Sequence, residues 1–180
     1  MACAGEVTLI WAGGAECGTL EVMRIVVCVK HVPDMQSERR FEGGRLVRGE
    51  DDVLNELDEN AIEAAVQLKE AEEDAGREAE VVALTMGPED AEDALMRALQ
   101  MGADRAYIVS DEFLEGSDVI TTASVLSVAI AKIADECGPV DLVITGMASL
   151  DAMTSMLPAA LAAKAHMPLL GLARSLSVDG

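Results

Sequence analysis

Four short apolar runs recur along this chain, each followed by a segment with helical spacing. They are residues 25–29, 81–84, 106–109 and 140–145. The first is Ile25-Val26-Val27-Cys28-Val29, nearly all β-branched, as a strand buried on both faces must be. Strands alternating with helices leave few solutions. The predicted fold class is α/β: a doubly wound, mostly parallel sheet with right-handed crossovers.

The helices carry their own start and stop signals. One is predicted from Asn55, a good N-cap, with Glu56, Asp58 and Glu59 at the positive end of the helix dipole. Leu57, Ala61, Ala64, Ala65, Leu68 and Ala71 share its inner face, and Gly76 falls at its end. A second opens at Gly87-Pro88 and stops at Gly102. Its first turn holds Glu89 and Asp90, which would repel a phosphate. A third runs from Ser117-Asp118 to about Asp135, and a fourth uses Leu157, Ala160, Leu161 and Ala165. Further strands are predicted at Leu169-Leu170 and at residues 176–178. Residues 35–52 read as a long loop or irregular hairpin around Arg45-Leu46-Val47-Arg48.

In an open parallel sheet, ligands bind past the carboxyl ends of the strands. The stretch that fits is the end of the fourth run, Val140 to Thr145, followed by Gly146, Ser149, Asp151, Thr154 and Ser155. No Lys or Arg occurs between Lys132 and Lys164. A phosphate there is expected to rest on backbone N–H groups and on the hydroxyls of Ser149, Thr154 and Ser155. Asp151 would accept from a sugar hydroxyl or cap the following helix. On the residues alone, each of these reads first as an ordinary cap or turn. Cys28, Asn55 and Met86 read by default as a small buried hydrophobe, an N-cap and a core or rim residue. All three stand at a predicted strand end or helix start, and in one doubly wound sheet such positions converge on one crevice.

Other chemistry is poorly supported. The chain lacks Gly-x-Ser-x-Gly, Gly-x-x-x-x-Gly-Lys-Ser/Thr, and Gly-x-Gly-x-x-Gly after the first strand. Cys3, Cys17, Cys28 and Cys137 form no CxxC pair, and His31 and His166 are isolated, so no metal site is expected. Free thiols suit a reducing cytoplasm. With 13 basic against 33 acidic residues the net charge is −20, which disfavours nucleic acid and anionic membranes. No apolar run is long enough for membrane insertion. Residues 1–22 contain no Lys or Arg and carry Glu6 and Glu16, unlike a secretory signal. They are expected to be an N-terminal leader or an upstream-start extension, with residues 23–180 forming the nucleotide-binding α/β domain.

Several segments together carry a family resemblance. They are Val26-Val27-Cys28-Val29-Lys30 with Val32-Pro33-Asp34; residues 53–64 around Asn55; Leu84-Thr85-Met86-Gly87-Pro88; residues 98–106, Ala-Leu-Gln-Met-Gly-Ala-Asp-Arg-Ala; and residues 141–151, Asp-Leu-Val-Ile-Thr-Gly-Met-Ala-Ser-Leu-Asp. From about Met23 onward the chain resembles the β subunit of electron transfer flavoproteins, including the FixA-type members. The resemblance implies a Rossmann-like domain that pairs with an α subunit. It implies an electron carrier without turnover of its own, taking electrons from flavin-dependent dehydrogenases through FAD shared with the α subunit. AMP, or a second FAD, would be held by the β subunit at Cys28, Asn55, Glu56, Leu57, Asp58, Met86, Gly146, Ser149, Asp151, Thr154 and Ser155. Two features depart from the family pattern. Ala152-Met153 stands where the family has small or acidic residues, and the family's C-terminal region is expected to be missing after Gly180. The alternative is a stand-alone adenine-nucleotide-binding regulatory domain. A nucleotide hydrolase fits less well, because His31-Val32-Pro33-Asp34 is not the serine- and glycine-rich loop of that class.

Overall fold

The computed structural model describes residues 7–11, 22–49 and 51–178. Its centre is a six-stranded sheet. In chain order the strands are β1 (Val7–Trp11), β2 (Met23–Cys28), β7 (Ala79–Met86), β8 (Arg105–Val109), β9 (Leu142–Gly146) and β10 (Leu169–Ala173); the short β3 to β6 lie outside it. In space the order is β10-β1-β9-β2-β7-β8. The four strands from β9 to β8 are parallel, while β1 runs antiparallel to both β9 and β10. The molecule is therefore a mixed α/β structure with a mostly parallel central sheet.

Among the described residues, four α-helices cover the sheet: α1 (Glu56–Asp74), α2 (Glu92–Gln100), α3 (Val119–Cys137) and α4 (Leu157–Ala165). Successive strand residues point to opposite faces, so each strand feeds two cores. On one face Ile25, Val27, Val81, Ala83 and Ile144 meet Ala61, Ile62, Ala65 and Leu68 of α1, with Ala94, Leu95 and Ala98 of α2. On the other, Val26, Cys28, Val82, Leu84 and Val143 meet Ala123, Leu126, Ile130 and Ile133 of α3 and Leu161 and Ala162 of α4. Burying side chains such as Ile25, Leu84 and Ile144 stabilises the fold by about 1.5–3 kcal/mol each. At the amino ends of the strands, Arg24 Nε donates to Glu80 at 2.8 Å and the Arg24 backbone N–H donates to Asp141 at 2.8 Å.

Between β2 and α1, where a long loop or irregular hairpin over residues 35–52 is expected, the chain makes two nested hairpins. β3 (His31–Pro33) pairs with β6 (Asp52–Leu54), and β4 (Phe41–Glu42) pairs with β5 (Arg45–Leu46) through the left-handed Gly43-Gly44 turn. Three details differ from expectation. Residues 176–178 form no strand; the chain has already left the sheet at Ala173. Pro88 precedes a single 3-10 turn, Glu89–Ala91, and the α-helix proper starts at Glu92. Val7–Trp11 is an unpredicted strand, with Val7, Thr8, Leu9 and Ile10 buried. The rest of the expected N-terminal extension lies outside the described residues, save Val22.

Candidate functional site

β2 leads to β7 on one side of the sheet, while β9 lies on the other side of β2. The carboxyl ends of β2 and β9, paired at Cys28 and Thr145, therefore flank the point where strand order reverses. Crevices of this kind take ligands in open α/β sheets. Three segments distant in sequence are tied together there.

Asn55 is the first tie. Its backbone N–H donates to the Lys30 carbonyl at 2.9 Å. Its side-chain Nδ2 donates to the Ala148 carbonyl at 2.9 Å, and its Oδ1 accepts from the Leu150 N–H at 3.0 Å. The residue is wholly buried, and its side chain makes no capping bond to α1. Asn55 does stand at the N-cap position predicted for it, and its backbone carbonyl accepts from the Asp58 N–H at 2.8 Å, but its side chain holds the turn after β9 instead of capping α1.

Asp58 is the second tie. Oδ2 accepts from the Lys30 backbone N–H at 2.8 Å. Gly146 packs directly on this turn of α1. A Cβ added there would fall 2.3 Å from Asp58 Oδ1 and 2.8 Å from the Leu57 carbonyl oxygen. Burial pushes the Asp58 carboxyl up to about 7, against the opposing pull of Asn55, the Lys30 N–H and ammonium, and the Gly146 N–H. Burial, with the Asp58 charge, also pushes the Cys28 thiol up to about 12. Cys28 is thus a neutral thiol at pH 7, packed with Val26 and Leu84 rather than poised as a nucleophile.

Asp151 is the third tie. Lys30 Nζ donates to its two carboxylate oxygens at 2.8 and 3.0 Å, and the Arg48 guanidinium meets the same carboxylate. Arg48 Nη1 also donates to the His31 carbonyl at 3.4 Å, and Arg39 Nη2 to the Leu150 carbonyl at 3.3 Å. Burial opposes ionisation of Asp151, but Lys30, Arg48 and Ser149 outweigh it and bring its carboxyl down to about 2. Two expectations change here. Asp151 caps no helix, since α4 begins at Leu157 behind Met156. The predicted site is not free of cations: Lys30 follows β2 directly, and the double hairpin brings in Arg39 and Arg48 from far away in sequence. Their spacing offered a clue: Lys30, Arg39, Arg40, Arg45 and Arg48 are five of only 13 basic residues.

The other predicted residues divide. Ser149 joins the cluster, its Oγ 3.5 Å from Lys30 Nζ. Met86 ends β7 and packs on the same core as Cys28. Leu57 is half-buried against Gly146, whereas Glu56, Thr154 and Ser155 are exposed. Met153 and Ser155 both hold left-handed backbone, with φ of 51° each. Among the described residues, His31 Nε2, Thr85 Oγ1 and Thr145 Oγ1 are buried without a hydrogen-bond partner, and Thr85 and Thr145 stand at the carboxyl ends of β7 and β9. Orphaned polar atoms at strand ends suit a polar ligand there. A separate open groove of about 620 Å³ runs between β8 and α3, past Tyr107, Val109, Val128 and Lys132. None of the predicted site residues lines it. Among the described residues no cluster of His, Cys, Asp or Glu could hold a metal ion, and no helix is long and apolar enough to cross a membrane.

Residues 44–180 match the electron transfer flavoprotein domain. The chain belongs to the electron transfer flavoprotein family. It is 40% identical over 159 residues to the electron transfer flavoprotein subunit beta of Mycobacterium leprae, covering 87% of this chain and 58% of that protein. It is 39% identical over 135 residues to protein FixA of Azorhizobium caulinodans, covering 74% of this chain and 46% of the relative. The caffeyl-CoA reductase-Etf complex subunit CarD of Acetobacterium woodii is 35% identical, with 87% of this chain and 58% of the relative covered. The chain thus spans between about half and three-fifths of the length of these relatives.

Proposed function

We propose that this chain is the β subunit of a heterodimeric electron transfer flavoprotein, built on a Rossmann-like nucleotide-binding domain. In this reading it works with an α subunit in the cytoplasm, moves electrons from a flavin-dependent dehydrogenase to an acceptor, and turns over no substrate itself. FAD is shared with the α subunit, and AMP or a second FAD sits at the crevice between β2 and β9. The supporting observation is the knot of Lys30, Asn55, Asp58, Gly146 and Asp151. Three of the segments that carry the family likeness, around Lys30, Asn55 and Asp151, are hydrogen-bonded together at the strand-order reversal.

Bound FAD would supply the redox chemistry. The chain's own residues hold and orient. Asn55 fixes the turn at 148–150 to α1, Gly146 lets α1 approach the end of β9, and Ser149, Thr154 and Ser155 offer hydroxyls. Cys28 and Met86 give an apolar, non-ionised surface at neighbouring strand ends. Calorimetric titration of AMP, ADP and FAD into the wild type, Thr154→Ala and Thr154→Glu tests the reading. Thr154→Ala should weaken binding by about 0.5–1.5 kcal/mol, one neutral hydrogen bond. Thr154→Glu should abolish it by setting a carboxylate against the phosphate. If the glutamate variant binds AMP as well as the wild type, the phosphate lies elsewhere.

A further inference from the structure

We propose that Lys30 and Arg48 are the phosphate-binding cations of this site, and that Asp151 is their placeholder, holding both until a phosphate takes them. The inference rests on the nucleotide-binding reading above and adds the residues that would select for a phosphorylated ligand. Lys30 sits just beyond β2, at the reversal point, and reaches Asp151 at 2.8 Å and Ser149 Oγ at 3.5 Å. Arg48 comes from the double hairpin and meets the same carboxylate oxygen, Asp151 Oδ2, as Lys30 does. The burial is uneven: the Asp151 side chain is 3% exposed, those of Lys30 and Arg48 42% and 36%. The carboxylate lies underneath and the two cations face outward, towards an arriving ligand.

Charge counting favours exchange. One carboxylate faces two full positive charges, and Arg39 stands beside them on the Leu150 carbonyl. The other nearby acids accept from neutral donors. Asp58 accepts the Lys30 backbone N–H, Asp34 the Gln36 N–H, and Asp51 the Ser37 hydroxyl. At Asp151 itself two cations meet one carboxylate, in a chain of net charge −20. A phosphate or pyrophosphate brings two or more negative charges and more acceptor oxygens than a carboxylate, and guanidinium and ammonium groups bind it by charge-assisted hydrogen bonds. Both side chains are long enough to turn from Asp151 to a phosphate without moving the backbone. Asp151 thus keeps the cations gathered, at the expense of affinity for the ligand.

The test uses the full chain, with inorganic pyrophosphate and ADP as probes in calorimetry at low and physiological salt. Asp151→Asn releases both cations and should tighten both probes at least tenfold. Arg48→Met and Lys30→Met keep the apolar stems, change half-exposed side chains, and should each weaken both probes about tenfold and flatten the salt dependence. Thermal melts of all three variants check folding. If Asp151→Asn weakens ADP or leaves it unchanged while the wild type binds, Asp151 is a ligand contact or a bystander, and the placeholder role is overturned with the nucleotide reading intact. If pyrophosphate responds as predicted but ADP binds no better than pyrophosphate, the cation assignment stands and the nucleotide reading fails. If neither probe binds the wild type or Asp151→Asn, both are overturned.

Discussion

Gly146 has no room for a side chain, because α1 approaches the end of β9 through this one position. Gly146→Ala would drive a methyl group into Asp58 Oδ1 and the Leu57 backbone, and should destabilise the fold by about 2–4 kcal/mol, seen in urea unfolding. Asp58 beneath it makes a pH-dependent contribution. Its folded value, about 7, lies above the ordinary 3.8, so the native state holds this proton more tightly than the unfolded chain. Stability from the protonated form is present at low pH and fades as pH rises from about 4 to about 7. Asp58→Asn should cost about 1–3 kcal/mol at pH 8, where N–H donors lose a carboxylate, and more at pH 5. Equal costs at the two pH values would remove Asp58 from the titration. At this scale the sequence was a partial guide. Gly146, Asn55 and Asp151 were legible as special because each breaks a pattern at a strand end or helix start. What they touch was not. Asn55 has the residue type of a cap, and only tertiary structure shows its amide spent on Ala148 and Leu150. Lys30 and Arg48 reach the site across 121 and 103 positions, distances that no local spacing reveals.

The elements themselves were written in local chemistry. All four apolar runs are strands, and α3 starts where Asp118 accepts from the Thr121 N–H at 2.7 Å. β1 escaped because a five-residue apolar run far from any helix has no periodicity to mark it, and its place depends on pairing with β9 and β10. The segment before α4 escaped for another reason. Met153 and Ser155 adopt left-handed backbone that their residue types disfavour, so composition gives no warning. Met153 is 56% exposed and loses little packing if truncated. Met153→Gly should therefore leave stability unchanged or raise it by up to about 1 kcal/mol, as strain relief offsets the freer unfolded chain. The matched change Met96→Gly, on the exposed face of α2, should lower it by about 1 kcal/mol. Chemical denaturation of the pair checks the sign, and a loss at Met153 as large as at Met96 would show that the left-handed turn carries no strain.

Among the described residues, the Arg24 ion-pair network and the unpartnered strand-end hydroxyls occupy opposite ends of the sheet. Arg24, Glu80, Arg105 and Asp141 pair at the amino ends, while the orphaned hydroxyls and converging cations lie at the carboxyl ends. With 2% aromatic residues the chain has little to stack on an isoalloxazine ring, so alone it should purify without a flavin band. The central claim is that it is one half of a flavin carrier. The most direct measurement is co-expression with an electron transfer flavoprotein α subunit, followed by size-exclusion chromatography, visible absorbance and nucleotide analysis of the denatured peak. The account predicts a one-to-one complex that is yellow, contains FAD, and releases AMP or a second FAD. A chain that elutes alone and colourless while still binding adenine nucleotide would contradict it and mark a stand-alone regulatory domain instead.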